Sequence, residues 1–314
     1  MDNLIFSLNA TLPVFFTMVL GMLFRRMGLL DDHTVSKLNK FVFNAALPVL
    51  LFQDISGANF YEVWNTKFVL FCLAATVLSI CIAIGLSFFM KDRSKQGEFI
   101  QASYRSSAAI LGIAFIQNIY GNSGMAPLMI IGSVPLYNAM AVVVLSFFKP
   151  NRGKMDKKLL LNTLKGIVTN PIILGIVAGL VWSVLRIPQP EILQKTVKNV
   201  AVLATPLGLM AMGASFDLKK ALQGIRPVLL AAFLKLMGLA AIFLPAAIAL
   251  GFRESHLIAI LVMLSSPATV SCFIMAKNMG HEGSFSATTV MLTTLCSAFT
   301  LTAWLYLLRT LALI

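Results

Sequence analysis

Apolar residues gather along this chain in runs of about twenty, set apart by short polar connections. Ten runs can be marked, at about residues 8–24, 38–55, 67–90, 98–119, 125–148, 164–185, 197–216, 227–250, 256–276 and 285–308. A helix needs roughly twenty apolar residues to cross a bilayer, so the pattern predicts an all-α polytopic membrane protein of ten transmembrane helices. The only long polar connection, KPNRGKMDKKLLLN, runs from Lys149 to Asn162 and separates five spans from five. It divides the chain into a unit at 1–148, a linker at 149–162 and a second unit at 163–314. The first run is followed by Arg25 and Arg26, and no basic region precedes it, so a retained span is expected rather than a cleaved signal.

The two units echo one another. Pro13 and Gly21 are spaced as Pro171 and Gly179, and Pro13 lies as far from Pro48 as Pro171 from Pro206. The same offset of 158 pairs Lys37 with Lys195 and Lys40 with Lys198. An offset of 159 pairs Ser106-Ser107 with Ser265-Ser266, and Gly121 and Gly124 with Gly280 and Gly283. A unit of five spans is odd, so a second copy must lie inverted in the membrane. Two inverted five-helix repeats with interrupted helices are a pattern of secondary transporters.

Composition agrees with the pattern and removes other classes. Apolar residues make up 58% of the 314, and charged residues 12%, about half the ~25% of ordinary soluble domains. That excludes a soluble enzyme, a secreted disulfide scaffold and a disordered regulator. The net charge of +13 comes from basic residues between apolar runs, which record orientation rather than nucleic-acid binding. Loops after odd-numbered spans hold seventeen Lys and Arg, and the opposite side holds six. Positive-inside reasoning therefore puts the central linker in the cytoplasm and both termini outside. Cys72, Cys81, Cys272 and Cys296 all fall within apolar runs without metal-ligand spacing, so neither disulfide, zinc nor cofactor is expected.

Candidate chemistry concentrates in spans four and nine. Span nine carries LSSPATVSCF, with Ser265, Ser266, Pro267, Thr269 and Ser271. Proline removes a donor and disfavours helix at the residue before it, while neighbouring hydroxyls can satisfy the freed carbonyls. A mid-membrane break there, or a simple kink, follows. Span four has the matching YRSSAAILG, Tyr104 to Gly112, without a proline. Arg105 and Lys235 stand inside apolar runs, where a cation needs a partner, a wet cavity or a snorkelling route. Asp54, Glu98, His33, His256 and His281 read as interfacial or loop residues. No carboxylate cluster is in view for sodium, so sodium-independent flux is expected. Asn44, Thr205, Tyr137 and Asn138 are polar residues near prolines, able to line a path or to satisfy backbone. No HExxH, GxSxG, P-loop or carboxylate pair is present, so no catalytic residues and no enzyme activity are expected.

LNKFVFNAALPVLLF in span two, AAFLKL in span eight and SSPATVSCFIMAKNMG in span nine resemble the bacterial auxin efflux carrier family. That family is related to the plant PIN-FORMED carriers and more distantly to bile-acid sodium symporters. The resemblance covers nearly the whole chain. It implies a scaffold domain and a transport domain, each assembled from both repeats, with helices four and nine broken and crossing at the substrate site. The implied substrate is a small organic anion such as malate, malonate or lactate, or an auxin-like weak acid. The substrate-binding set expected on these grounds is Arg105, Ser106, Ser107, Ala108, Asn138, Ser265, Ser266, Pro267, Thr269 and Lys235, with no metal. The expected setting is the cytoplasmic membrane, with the lipid bilayer as partner and a homodimer as a candidate assembly. A membrane-embedded enzyme or sensor without flux is the alternative.

Overall fold

The computed structural model describes residues 2–57, 65–108, 125–150, 157–216 and 225–314, and among these it is built of helices with no strand. Gly112, Gly121, Gly124, Lys219, Lys220 and linker residues 151–156 lie outside the described residues.

Helix α1 runs Asp2–Arg26. Asp31 then caps α2 (Asp32–Phe41), its carboxylate accepting the Thr34 N–H at 2.7 Å. A π-helical turn, Val42–Ala46, carries the chain into α3 (Leu47–Ser56). Asn65 caps α4 (Thr66–Ser87) through the Phe68 N–H at 3.0 Å. After α5 (Gln96–Tyr104) come α6 (Ala126–Phe147) and α7 (Lys157–Val168). Asn170 and Pro171 open α8 (Pro171–Val184), the asparagine as cap and the proline at the first position, where no donor is missed. Next come α9 (Glu191–Ala201) and α10 (Ala204–Ala214). Helix α11 (Ile225–Phe233) joins α12 (Leu239–Ala249) through a second π-helical turn, Leu234–Gly238. The chain ends with α13 (Glu254–Ser265), α14 (Ser271–Asn278) and α15 (Ser284–Thr310).

Among the described residues, six helical stretches are long and apolar enough to cross a membrane, and α8 and α13 are shorter apolar helices. Large apolar side chains stand outward on several of them: Leu20 and Leu23 on α1, Leu70 and Leu78 on α4, Val177 and Val181 on α8, Leu229 and Phe233 on α11. A soluble monomer does not expose apolar surface on this scale. The protein is a multi-pass membrane protein.

Glycine sets the closest helix contacts. A Cβ on Gly213 of α10 would lie 2.0 Å from the Met18 carbonyl oxygen, and one on Gly21 of α1 would lie 2.2 Å from that of Met210. The α3–α8 pair is built the same way, since a Cβ on Gly175 would fall 2.5 Å from the Pro48 oxygen. Lipid tails are as apolar as leucine, so packing at backbone distance, not hydrophobicity, holds such pairs.

Glu98 is not interfacial, as the sequence suggested. It is 1% exposed on α5, and its two carboxylate oxygens accept the Gly283 and Ser286 N–H groups, each at 2.9 Å. Those donors are orphans of the first turn of α15, and the positive end of that long helix compensates the buried charge. Gly283 adopts φ +79, a conformation few other residues take. His281, in the same connection, is also buried and donates from Nε2 to the Leu145 carbonyl at 2.9 Å. Burial holds its imidazole below the usual histidine range, so it is neutral at pH 7.

Gly213→Leu is expected to force α1 and α10 apart and to destabilise by about 1–3 kcal/mol, the usual cost of overpacking. Gly85→Ala, where a Cβ meets nothing within 4 Å, should be neutral or mildly stabilising. Thermal unfolding of the two variants in detergent checks the difference.

Candidate functional site: a crossing of two interrupted helices

Two helices stop in mid-run and meet. Helix α5 ends at Tyr104, and Arg105 turns extended at φ −72, ψ 132. Helix α13 ends at Ser265, and Ser266 turns extended at φ −71, ψ 158, the conformation that Pro267 imposes on its predecessor. The two extended segments meet, and the Ser107 N–H donates to the Pro267 carbonyl at 2.9 Å. The span-nine proline therefore breaks the helix rather than kinking it. The two helix ends are 161 residues apart, two more than the serine pairing of the sequence.

A broken helix leaves carbonyls without donors, and at this depth no water would replace them. Several of these groups have a partner from elsewhere in the chain. Met263 O would have accepted from residue 267, but proline has no N–H; it accepts instead from Ser106 Oγ and, at 3.1 Å, from Tyr137 OH. Leu264 O accepts from the ammonium of Lys235. The displaced Ala268 N–H donates to Thr293 Oγ1 at 3.1 Å on α15. Ser265 Oγ and Trp304 Nε1 both donate to Leu236 O in the second π-helical turn.

Arg105 is 1% exposed, so it does not snorkel. Its Nη1 reaches Gln101 Oε1 at 3.2 Å and Met275 Sδ at 3.1 Å, and its Nη2 reaches Asn138 Oδ1 and Ser271 Oγ, each at 2.6 Å. All four partners are neutral. The ion pairs of the described residues are Arg25–Asp32, Lys95–Asp92 and Lys195–Glu191, and none involves Arg105. Four of the five guanidinium N–H donors are thereby engaged, and Nε has no partner among the described residues.

Arg105 lines a cavity of about 100 Å³ together with Ser106, Ser107, Asn138, Pro267 and Thr269. One water occupies roughly 10–15 Å³ on such a scale, so several waters or one small acid would fit. Tyr137, Thr205 and the first turn of α14 complete the polar wall, and no side chain caps that helix end. Its positive end favours an anion.

The remaining candidates stand elsewhere. Ser265, Ser266, Ala108 and Lys235 are buried but do not line the cavity. Lys235, fully buried, serves the carbonyl end of α13 and does not snorkel either. Asn44 points outward and donates to Lys40 O at 2.8 Å. Two residues read differently from sequence are on the wall. Ser271 holds the guanidinium, and Asp54, taken for an interfacial acid, lines the cavity from α3. Gln101 was legible as the residue one turn before Arg105, at the spacing where helix neighbours meet.

Two helix ends meeting at a cavity beside a buried cation, in a multi-pass membrane protein, suit a membrane carrier. Residues 6–305 match the family described as membrane transport protein, and the chain belongs to it, the auxin efflux carrier family. A protein of Rhizobium meliloti (strain 1021) named "Putative malonate transporter" is 27% identical over 322 residues, covering 96% of each chain. The "Uncharacterized transporter YfdV" of Escherichia coli (strain K12) is 24% identical over 325 residues, covering 98% of this chain and 99% of its own.

Removing one donor to Met263 O leaves the other in place. Ser106→Ala and Tyr137→Phe should each cost about 0.5–1.5 kcal/mol, whereas the double variant orphans the carbonyl and should exceed the sum of the two. A double-mutant cycle of thermal unfolding in detergent measures the excess.

Proposed function

We propose that this protein is a secondary carrier of the cytoplasmic membrane that moves a small organic anion by alternating access. The observation that carries the reading is the Arg105 guanidinium, buried at the cavity wall with only neutral partners. A cation in low dielectric with no ion-pair partner among the described residues is costly, and an incoming carboxylate can pair with it directly. The open end of α14 adds its dipole. The cavity volume favours an acid of a few non-hydrogen atoms over an indole-bearing one, since drug-sized ligands take pockets of roughly 300–1,000 Å³. The relative named for malonate is consistent with this class.

Two inverted repeats explain the framework best. Gly21 packs on Met210 and Gly179 packs on Phe52, and both members of one contact lie 158 residues from the members of the other. Units at 1–148 and 163–314 then exchange helices, α1 against α10 and α3 against α8, to build a domain from both halves. The crossing belongs to the other domain, and movement of one domain against the other would expose the cavity to each side in turn. No second reading has a specific observation in its favour.

Arg105→Ala should weaken substrate binding by about 1.5–3 kcal/mol, the range for a charge-assisted hydrogen bond. Binding of labelled malonate, malate and lactate to purified protein tests this, and unchanged affinity for the acid that binds would withdraw Arg105 from the site. The proposed orientation has its own test. An impermeant thiol reagent should label Asn3→Cys in intact cells and reach Met155→Cys only after lysis.

A further inference from the structure

The cavity contains a second charged group. Asp54 stands on α3, two residues from that helix's end, and shares the cavity wall with Arg105. It belongs to none of the ion pairs formed by the described residues. Among the elements packed on α3, α8 has no titratable side chain. Helix α9 carries Glu191, Lys195 and Lys198, all exposed, with Lys195 2.6 Å from Glu191. Helix α6 contributes Tyr137, which is on the same cavity wall. Among the described residues, Arg105 is the only other charged group on the cavity wall.

Charge balance follows from this pair. With Asp54 ionised, the empty cavity carries one positive and one negative charge and is neutral overall. A monoanion seated at Arg105 leaves a net negative charge next to an ionised carboxylate, in surroundings too apolar to screen it. One proton restores neutrality. We infer that Asp54 is the residue that carries a proton together with the substrate, so that an anion and a proton load the cavity together.

The step involves a proton passing from water to an Asp54 carboxylate oxygen on one side and returning to water on the other, with no other bond changed. Asp54 is near the end of α3 that the loop-charge bias assigns to the outer face, so outside water is the donor for uptake. A protonated carboxyl also gains a donor, which can hydrogen-bond a second oxygen of the substrate. This inference rests on the carrier reading above and adds to it a coupling ion and the residue that holds it.

The test uses the full-length protein in liposomes, with labelled malonate, malate and lactate as probes and the potential clamped by valinomycin and potassium. Wild type should exchange one of these acids and should accumulate it several-fold when the lumen is one pH unit more alkaline than the bath. Wild-type uptake should carry protons into the lumen, read by an enclosed pH dye. Asp54→Asn should lose both that proton movement and the pH-driven accumulation, and Asp54→Glu should restore both. Asp54→Ser replaces the asparagine variant if that one is not recovered folded. Accumulation by Asp54→Asn equal to wild type, wild-type uptake without proton movement, or wild-type accumulation that requires sodium and ignores pH would each overturn the inference while leaving a carrier. No exchange of any of the three acids by wild type would remove the carrier reading and this inference with it.

Discussion

A guanidinium without a carboxylate, buried where no water reaches most of it, is the constraint around which the crossing is arranged. Arg105 cannot be deprotonated and cannot reach the surface, so the protein must solvate it. It does so with dipoles from three directions: Gln101 on its own helix, Asn138 on α6, and Ser271 and Met275 on α14. Those ligands orient the group without forming an ion pair with it. Hydrogen bonds of this kind fix position and leave the charge free to act across the cavity.

The same economy governs the helix break. Every group that closes a freed carbonyl comes from another element: Ser106 from the opposing strand, Tyr137 from α6, Lys235 from the turn between α11 and α12. The crossing is thus tied to four helices through polar contacts, whereas α1–α10 and α3–α8 are held by glycine-backbone packing. Polar contacts in an apolar medium are specific in direction, and glycine packing is specific in shape. A framework of the second kind around a core of the first allows the core to move as a piece.

Much of this was legible in the amino-acid sequence, and the illegible remainder has physical causes. The long apolar helices followed from run length, because a bilayer imposes a minimum helix, and six stretches among the described residues reach it. The break at Pro267 followed from proline chemistry, and the partner break at Arg105 followed only from the internal pairing, whose register missed the helix ends by two residues. Side-chain destinations were harder. Lys235 and Arg105 look alike in sequence, each a lone cation in an apolar run, yet one closes a carbonyl and the other faces the cavity. Nothing local separates them, since the difference lies in what distant residues bring to each: Leu264 to Lys235, and Asn138, Ser271 and Met275 to Arg105. Glu98 was misjudged for a related reason. Its place at the edge of a run suggested an interface, but its partners, Gly283 and Ser286, are far along the chain.

Asp54 shows the limit most clearly. Its position near the end of a run made a watery location the natural reading, and a carboxylate at a helix end is ordinary. What changes its meaning is that α3 ends over the crossing, so a residue near the end of one span overlooks the middle of two others. Position within an apolar run is then a poor guide to proximity to the site, because helices that end early bring their termini to the cavity. The cavity is consequently bounded by groups from opposite ends of different helices: Arg105 where one stops, Ser271 where another starts, and Asp54 near the end of a third. Two opposite charges on one small cavity, held too far apart to pair, make the empty site neutral and the loaded site charged. On the coupling inferred for Asp54, that imbalance, rather than any single contact, decides which ions enter together.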